Sequence, residues 1–347
     1  KLPFVNINLL FIILILVGIQ HSHGQKSNAK IRLENGYLFD QSKLYYIKGV
    51  CYHPVSIGNM ARTFERLEDD LVLMREAGIN TIRVYEPIDD LAVLDAIYRA
   101  GIKVIMGFGY DQNGFFDLLS GTYLDYVKRY KNHPAILFWE LGNEYNYHPE
   151  WFGGTLDNWY KILAEAVDAI HYEDSNHPVA SAHGEVPEDE VLNKLDKIDL
   201  WGLNVYRWDE SYKAVEEFRR RSNKPVYFSE LGADSYMTVS KFGYNKGPNQ
   251  KAQADATEKI LKAVMIPKPP SMGVVVFSFT DGWWKAGYAE RQDVGGWAPG
   301  SSGVPYDGTA NEEFWGIVDI KRKKKLVYKV VANIFNLYFG PEFKNEN

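Results

Sequence analysis

Hydrophobic and polar positions along this chain follow two alternating patterns. Short apolar runs rich in Val, Ile, Leu and Phe are typical of buried parallel strands, and longer stretches with apolar positions three or four residues apart are typical of helices packed on such strands. The predicted strands cover residues 46–52, 81–85, 103–108, 136–141, 179–183, 199–206, 226–229 and 273–279. The predicted helices cover residues 63–77, 89–100, part of 115–130, 156–170, 188–195, 211–221, 249–264 and 326–338.

Strict alternation of strands and helices indicates parallel strands joined by crossover helices, and the number of units fits a single (β/α)8 barrel. A short hairpin at residues 31–39, with Asn35-Gly36 as its turn, precedes the first barrel strand. Residues 231–248 and 280–313, after the seventh and eighth strands, are longer than ordinary connections. Active sites of such barrels lie at the carboxyl ends of the strands, so we expect both segments to be walls of a cleft.

The amino-terminal segment contains an unbroken apolar run at residues 9–19. This run is too short to span a bilayer comfortably and fits the hydrophobic region of a signal peptide. We therefore expect residues 1–24 to be a signal peptide, residues 25–347 to be one catalytic domain, and the product to be secreted. An uncleaved membrane anchor is the alternative; if the leader is cleaved, no stable membrane insertion is expected.

Composition narrows the classes of ligand. The net charge is −6, which argues against a nucleic acid partner because phosphate binding needs a basic surface. Nine Trp, 23 Tyr and 18 Phe would suit a site that stacks on sugar rings. The eight His show no paired spacing, and Cys51 is the single cysteine, so we expect neither a metal nor another cofactor.

Two glutamates stand directly after apolar strands. The run Phe138-Trp139-Glu140-Leu141-Gly142 leads into Asn143-Glu144, and the strand at 226–229 leads into Glu230. A closed barrel can bring both carboxylates to one end. Paired carboxylates cleave glycosidic bonds, with retention when they are about 5 Å apart and with inversion when they are roughly 6.5–9.5 Å apart.

These positions resemble a known superfamily. Asn143-Glu144 after the fourth strand and Glu230 after the seventh are similar to the signature of glycoside hydrolase clan A. Residues 48–54 (KGVCYHP) resemble the start of the family 2 catalytic barrel of β-glucuronidases and β-galactosidases, and residues 229–234 (SELGAD) resemble its nucleophile segment. The resemblance implies a retaining mechanism with Glu144 as acid/base and Glu230 as nucleophile.

The resemblance also implies a set of substrate-binding residues. Arg83 on the second strand would orient the nucleophile, Tyr206 would contact it, and Asn143 would bind the sugar 2-hydroxyl. Other candidates come from their positions near the expected cleft: His53 and His183 at strand ends, and Trp283, Trp284 and Trp208 as stacking surfaces.

The leading interpretation is a retaining β-glycoside hydrolase that acts on a β-linked oligo- or polysaccharide through a covalent glycosyl-enzyme intermediate. A β-glucan transglycosylase similar to the glucanosyltransferases is one alternative, and a non-catalytic secreted carbohydrate-binding barrel is another. Tyr145 follows Asn-Glu where many relatives carry Pro, so the sequence leaves the sugar, the linkage and endo or exo action open.

Overall fold

The structure is a computed structural model that describes residues 31–112, 115–265, 271–294, 298–299 and 306–337. The expected signal peptide lies outside these residues and stays a prediction. Within the described ranges, no helix combines the length and the apolar character needed to cross a membrane.

Strands form one closed barrel and three small sheets. In chain order they are β1 Ile31–Glu34, β2 Tyr37–Asp40, β3 Lys43–Leu44, β4 Ile47–Cys51, β5 Thr81–Val84, β6 Lys103–Phe108, β7 Ile136–Asn143, β8 Val179–Gly184, β9 Leu200–Asn204, β10 Val226–Leu231, β11 Tyr236–Met237, β12 Gly247–Pro248, β13 Gly273–Val276, β14 Ala298–Pro299 and β15 Thr309–Ala310. The barrel order is β4-β5-β6-β7-β8-β9-β10-β13, with β13 pairing back onto β4. All eight pairs in it are parallel, so the prediction of a (β/α)8 barrel is confirmed.

Helices follow the barrel strands as the apolar spacing predicts. They are α1 Leu67–Glu76, α2 Leu91–Arg99, α3 Tyr123–Tyr130, α4 Asp157–Glu173, α5 Asp189–Lys194, α6 Tyr212–Arg221, α7 Gln250–Met265 and α8 Leu326–Leu337. Helix α2 illustrates why they form where they do: the Asp90 side chain accepts hydrogen bonds from the first free backbone N–H groups, and Leu94 and Ile97 are buried against the barrel.

Helix α3 occupies Tyr123–Tyr130, within the predicted range 115–130, and the residues before it are not helical. The Asp117 side chain accepts a hydrogen bond from the Ser120 N–H, and Gly121 has a φ of +77°. A side chain that bonds to its own backbone and a residue in the left-handed region both favour a turn over a helix. The segment before Tyr123 is therefore a turn.

The predicted hairpin is present as β1 and β2 and gains a third strand, β3, that the sequence pattern does not reveal. Ile31 and Leu38 from the hairpin are buried in the same cluster as Leu137, Tyr227 and other side chains inside the barrel. The hairpin thus covers apolar interior residues.

Candidate active site

A cavity of about 410 Å³ opens at the carboxyl ends of the barrel strands. Glu144 and Glu230 both line it, although they are far apart in the sequence. The structure therefore brings together the two carboxylates on which the sequence interpretation depends.

Both glutamates follow a break in strand register. The pairing of β7 with β8 is irregular between Glu140 and Asn143, and the pairing of β10 with β9 is irregular between Phe228 and Glu230. Such bulges change the direction in which the following side chains point, and they are common next to active sites. Gly142 lies within the first irregularity with a φ of +73°, and a Cβ there would come within 2.6 Å of the Trp159 ring.

Three donors bind the Glu230 carboxylate. Arg83 Nη1 and Tyr85 Oη each donate to Oε1 at 2.7 Å, and Tyr206 Oη donates to Oε2 at 2.8 Å. Burial raises the pKa of both tyrosines well above the ordinary value, so both hydroxyls stay protonated and can donate. Glu230 is thus held in one orientation as an acceptor, with a guanidinium against its charge.

Arg83 is fully buried and connects several strands. Its Nε donates to Glu140 Oε1 at 2.7 Å, and its Nη2 donates to Asn143 Oδ1 at 2.8 Å. Tyr227 completes the group by donating to the other oxygen of Glu140. A buried guanidinium is tolerated only when its charge is paired and its N–H groups are bonded, and this network satisfies both conditions.

Asn143 is fixed by two donors at its side-chain oxygen. Besides Arg83, Asn204 Nδ2 donates to Asn143 Oδ1 at 3.0 Å, and Asn204 is itself held by Ser229 Oγ at 2.6 Å. Because the oxygen is occupied, the amide nitrogen of Asn143 is the group left to bind a ligand in the cavity that this residue lines.

Glu144 has a different environment from Glu230. Burial and the negative charge of Glu230 raise the pKa of Glu144 to about 7. Its backbone is in the left-handed region at φ 57° and ψ 23°, a conformation that non-glycine residues adopt mainly at turns and functional sites. One cavity therefore contains a carboxylate with three donors and a carboxyl group that is half protonated near neutral pH.

His53 and Trp284 also line the cavity, and their ring centroids are 4.8 Å apart. Burial, together with the charges of Arg62 and Lys285, lowers the pKa of His53 to about 3. A neutral imidazole and an indole suit contacts with an uncharged ring. Of the two adjacent tryptophans proposed as stacking surfaces, Trp284 lines the cavity and Trp283 does not.

Two further candidates lie away from the cavity. His183 packs against Trp201, and its Nδ1 lies 3.1 Å from the Glu185 carbonyl oxygen. Trp208 packs at a right angle to Tyr306 with Lys259 over its ring. Neither of them lines the cavity, so the structure does not bring them to the two carboxylates.

The two long segments, residues 231–248 and 280–313, differ in whether they line the cavity. Residues 284, 285, 310 and 312 of the second segment line the cavity, whereas no described residue of 231–248 does so. The first segment instead supports the second, since Asp234 Oδ2 accepts a hydrogen bond from the Asn311 N–H at 3.1 Å. The expectation that both are cleft walls therefore holds for residues 280–313 alone.

Sequence reasoning missed Tyr85, Lys285, Glu312 and Trp315, all of which line the cavity. A signal for Tyr85 was available: it is two residues after Arg83, and alternate residues of a strand share one face. The others lie in or beyond the last long segment, where no period relates sequence to orientation.

The described part of the chain contains no group of three or more His, Cys, Asp or Glu side chains arranged to hold a metal ion. A carboxylate beside a protonated carboxyl group, with aromatic rings around them, is the arrangement that glycosidic bond cleavage requires. Fold and site together define a glycosidase-type (β/α)8 barrel.

Comparisons with known proteins agree with this class. The sequence model described as "Glycosyl hydrolases family 2, TIM barrel domain" matches residues 111–251. A 1,3-beta-glucanosyltransferase of Saccharomyces cerevisiae is 25% identical over 236 residues, which cover 56% of this chain and 50% of that protein. A beta-glucuronidase of Bacteroides fragilis is 26% identical over 204 residues, which cover 55% of this chain and 28% of that protein. The chain thus spans half or less of the length of these curated relatives.

Solved structures share the fold. A GH2 beta-galacturonidase from Eisenbergiella tayi superposes with a TM-score of 0.67 at 21% identity, over 90% of this chain and 55% of that one. A beta-D-glucuronidase from Dictyoglomus thermophilum gives a TM-score of 0.67 at 16% identity, over 89% and 54% of the two chains. The chain is therefore similar in sequence to the family 2 glycoside hydrolase barrel over residues 111–251, and it shares the (β/α)8 fold with these solved structures.

Proposed function

We propose that this chain is the catalytic barrel of a retaining β-glycoside hydrolase that acts on a β-linked oligo- or polysaccharide. The observation that carries the proposal is the difference between the two carboxyl groups of one cavity. Glu230 accepts hydrogen bonds from Arg83, Tyr85 and Tyr206, while the pKa of Glu144 is raised to about 7.

In the first step, protonated Glu144 donates its proton to the glycosidic oxygen while a Glu230 oxygen attacks the anomeric carbon. The bond from that carbon to the leaving oxygen breaks, and a glycosyl ester with Glu230 forms. The second step reverses the roles: ionised Glu144 takes a proton from water, the water oxygen bonds to the anomeric carbon, and Glu230 leaves as a carboxylate. A group with a pKa near the working pH serves well in both directions.

The neighbours of the carboxylates have supporting roles. Arg83, Tyr85 and Tyr206 orient the attacking oxygen and compensate its charge when it leaves, and Asn143 offers its amide nitrogen to a sugar hydroxyl beside the reacting carbon. Trp284 and neutral His53 present apolar ring surface to the sugar.

The experiment that tests the proposal is turnover of a panel of activated aryl β-glycosides, followed by NMR to determine the anomer released first. Release of the β-anomer and labelling of Glu230 by a 2-deoxy-2-fluoro glycoside, detected by mass spectrometry, are expected. Glu230→Gln should abolish turnover, and Glu258→Gln on the outer surface of α7 is the matched control. A folded wild type that binds glycans and hydrolyses no substrate would favour the non-catalytic carbohydrate-binding barrel instead.

Transglycosylation is the second candidate, and it is favoured by a specific observation. Two 1,3-beta-glucanosyltransferases, from Saccharomyces cerevisiae and Schizosaccharomyces pombe, are 25% and 24% identical over more than 230 residues each. In a transferase, a sugar hydroxyl replaces water in the second step. Incubation with oligosaccharide distinguishes the two activities, because products longer than the substrate appear only with transfer.

Secretion is part of the same proposal and rests on the apolar run at residues 9–19. Expression with this segment in a eukaryotic host and amino-terminal sequencing of the medium fraction tests it. A mature end near residue 25 is expected, and retention of the whole protein in the membrane fraction would favour the uncleaved anchor.

A further inference from the structure

A second cavity adjoins the first at the carboxyl ends of the barrel strands. Its volume is about 280 Å³, and it shares Tyr85, Glu86, Asn143 and Glu144 with the larger cavity. Glu230 lines only the larger one. The smaller cavity therefore lies on the Glu144 side of the pair of carboxylates.

An aromatic surface borders this second cavity. Trp151 and His148 line it and stack on each other, with ring centroids 3.9 Å apart and planes inclined by only 4°. Trp151 is 49% exposed, although a side chain of this type is usually mostly buried. A flat, exposed indole ring at the edge of a cavity, backed by a stacked imidazole, is a surface on which the apolar face of a sugar can stack.

The segment that carries these rings is held firmly. Residue 152, next to Trp151, is a buried Phe that packs against the rings of Tyr110 and Trp159 at 4.9 Å and 5.3 Å. Asn146 forms two hydrogen bonds with the backbone of Gly184, at 2.9 Å and 3.1 Å. The exposure of Trp151 is thus fixed by packing on both sides of it.

The proposed reaction requires the leaving saccharide and the acceptor to bind beside Glu144. The proton of the acid goes to the oxygen of the leaving group, so the leaving saccharide must lie beside Glu144. In the second step the same carboxylate removes a proton from the acceptor, so the acceptor occupies that place too. A cavity that contains Glu144 and excludes Glu230 meets both requirements.

The charge of the second cavity indicates the kind of sugar. Glu86, Glu140 and Glu144 line it, and among its described lining residues there is neither Lys nor Arg. The charge of Glu140 is already paired with Arg83, so an anionic sugar would meet the carboxylate of Glu86 and the ionised form of Glu144, with no lining cation free to pair with it, which is unfavourable in a partly buried site. A neutral saccharide meets no such penalty.

We propose that the second cavity is a leaving-group and acceptor subsite for a neutral saccharide, which stacks on the exposed ring of Trp151 that His148 supports from its other face. The inference rests on the proposed function and deepens it. With an acceptor bound here, its hydroxyl oxygen bonds to the anomeric carbon, the ester bond to Glu230 breaks, and the hydroxyl proton goes to Glu144. The subsite therefore promotes transfer over hydrolysis.

The test measures the ratio of transfer to hydrolysis products. The donor is the aryl β-glycoside that the wild type hydrolyses fastest, and the acceptors are cellobiose, laminaribiose, gentiobiose and lactose, with cellobiouronic acid as the anionic counterpart of cellobiose. In the wild type the ratio should rise and saturate with at least one neutral disaccharide. In Trp151→Ala the acceptor concentration at half saturation should rise about tenfold, and Trp151→Phe should restore most of this loss.

The ratio is internal to each variant, so it is independent of the amount of folded enzyme. Tyr172→Ala, which removes an aromatic residue that is 93% exposed on α4, is the matched control and should leave the ratio unchanged. The inference is overturned if Trp151→Ala behaves as the wild type, if no acceptor alters the ratio, or if cellobiouronic acid serves as well as cellobiose. If any of these three results is found while the wild type still hydrolyses the donor, the subsite proposal fails and the proposed function stands. A wild type that turns over no donor would overturn both the subsite proposal and the proposed function.

Discussion

The raised pKa of Glu144 predicts the pH dependence of catalysis. If Glu144 is the general acid with a pKa of about 7, half of the molecules carry the needed proton at pH 7. A glutamate at the ordinary value of 4.5 would be protonated in roughly 0.3% of molecules at that pH. The environment of Glu144 therefore makes the protonated form more than about a hundredfold more abundant at neutral pH.

This reasoning sets the alkaline limb of the pH profile. Plotted against pH, kcat/KM should fall with a midpoint near 7 and lose about tenfold for each further pH unit. The assay is initial-rate hydrolysis of an aryl β-glycoside whose leaving group needs protonation, between pH 4 and pH 10. The same limb should be weak for a dinitrophenyl glycoside, whose leaving group departs without a proton.

The cause of the raised Glu144 pKa can be tested by removing the negative charge of Glu230. Burial is the largest cause and the charge of Glu230 is the next, so Glu230→Gln should lower the pKa of Glu144 and leave it above 4.5. Carbon-13 NMR titration of the glutamate carboxyl groups measures this without turnover, and Glu258→Gln is the control that should leave it unchanged. A limb below about pH 5.5 in the wild type, or an unchanged Glu144 pKa in Glu230→Gln, would refute the assignment.

Three further predictions follow from the site. Trp284→Ala should raise KM for an aryl β-glycoside about tenfold, whereas Trp283→Ala should not, since Trp283 does not line the cavity; equal effects would contradict the placement. Tyr206→Phe removes a donor to Glu230 and should lower kcat roughly 10- to 100-fold in steady-state assays, and full activity would exclude the positioning role. An acid whose pKa is raised by folding destabilises the folded state at pH values above its unfolded pKa. Glu144→Gln should therefore raise the free energy of unfolding at pH 8 by at most about 3 kcal/mol, and raise the Tm with it, but leave both unchanged at pH 4. Thermal unfolding at both pH values checks this, and a gain that is independent of pH would count against it.

The sequence predicted the barrel because its signals are local. Apolar runs such as residues 103–108 have few alternatives to a buried strand, and the number of alternating units leaves few topologies. The same locality placed Glu144 and Glu230, since a polar residue directly after a barrel strand has to lie at its carboxyl end. The sequence placed α3 within residues 115–130, which is confirmed, but its start at Tyr123 depends on the turn before it.

Orientation in the last long segment could not be predicted in the same way. Trp283 and Trp284 are adjacent and chemically identical, and the choice between them depends on tertiary contacts of the loop. Asp281 just before them forms a buried ion pair with Lys325 at 2.9 Å, and the Gly316 N–H also donates to this carboxylate. These partners are more than thirty residues away in the sequence, so no periodicity could reveal them.

The Arg83 network gives a physical reason why two identical side chains in one cavity could have the opposite roles that the proposed mechanism assigns to them. Its guanidinium bonds to Glu140 and Asn143 at the end of one strand and to Glu230 on another, so the charge of Glu230 is compensated directly. Glu144 lies outside this network of direct bonds to Arg83 and meets burial and the charge of Glu230 instead. The same closure of the barrel that joins the strands therefore gives the two carboxyl groups different surroundings. Loss of Arg83 would leave the buried carboxylates of Glu140 and Glu230 without the cation that pairs with them, so this residue links the stability of the barrel to the chemistry at its end.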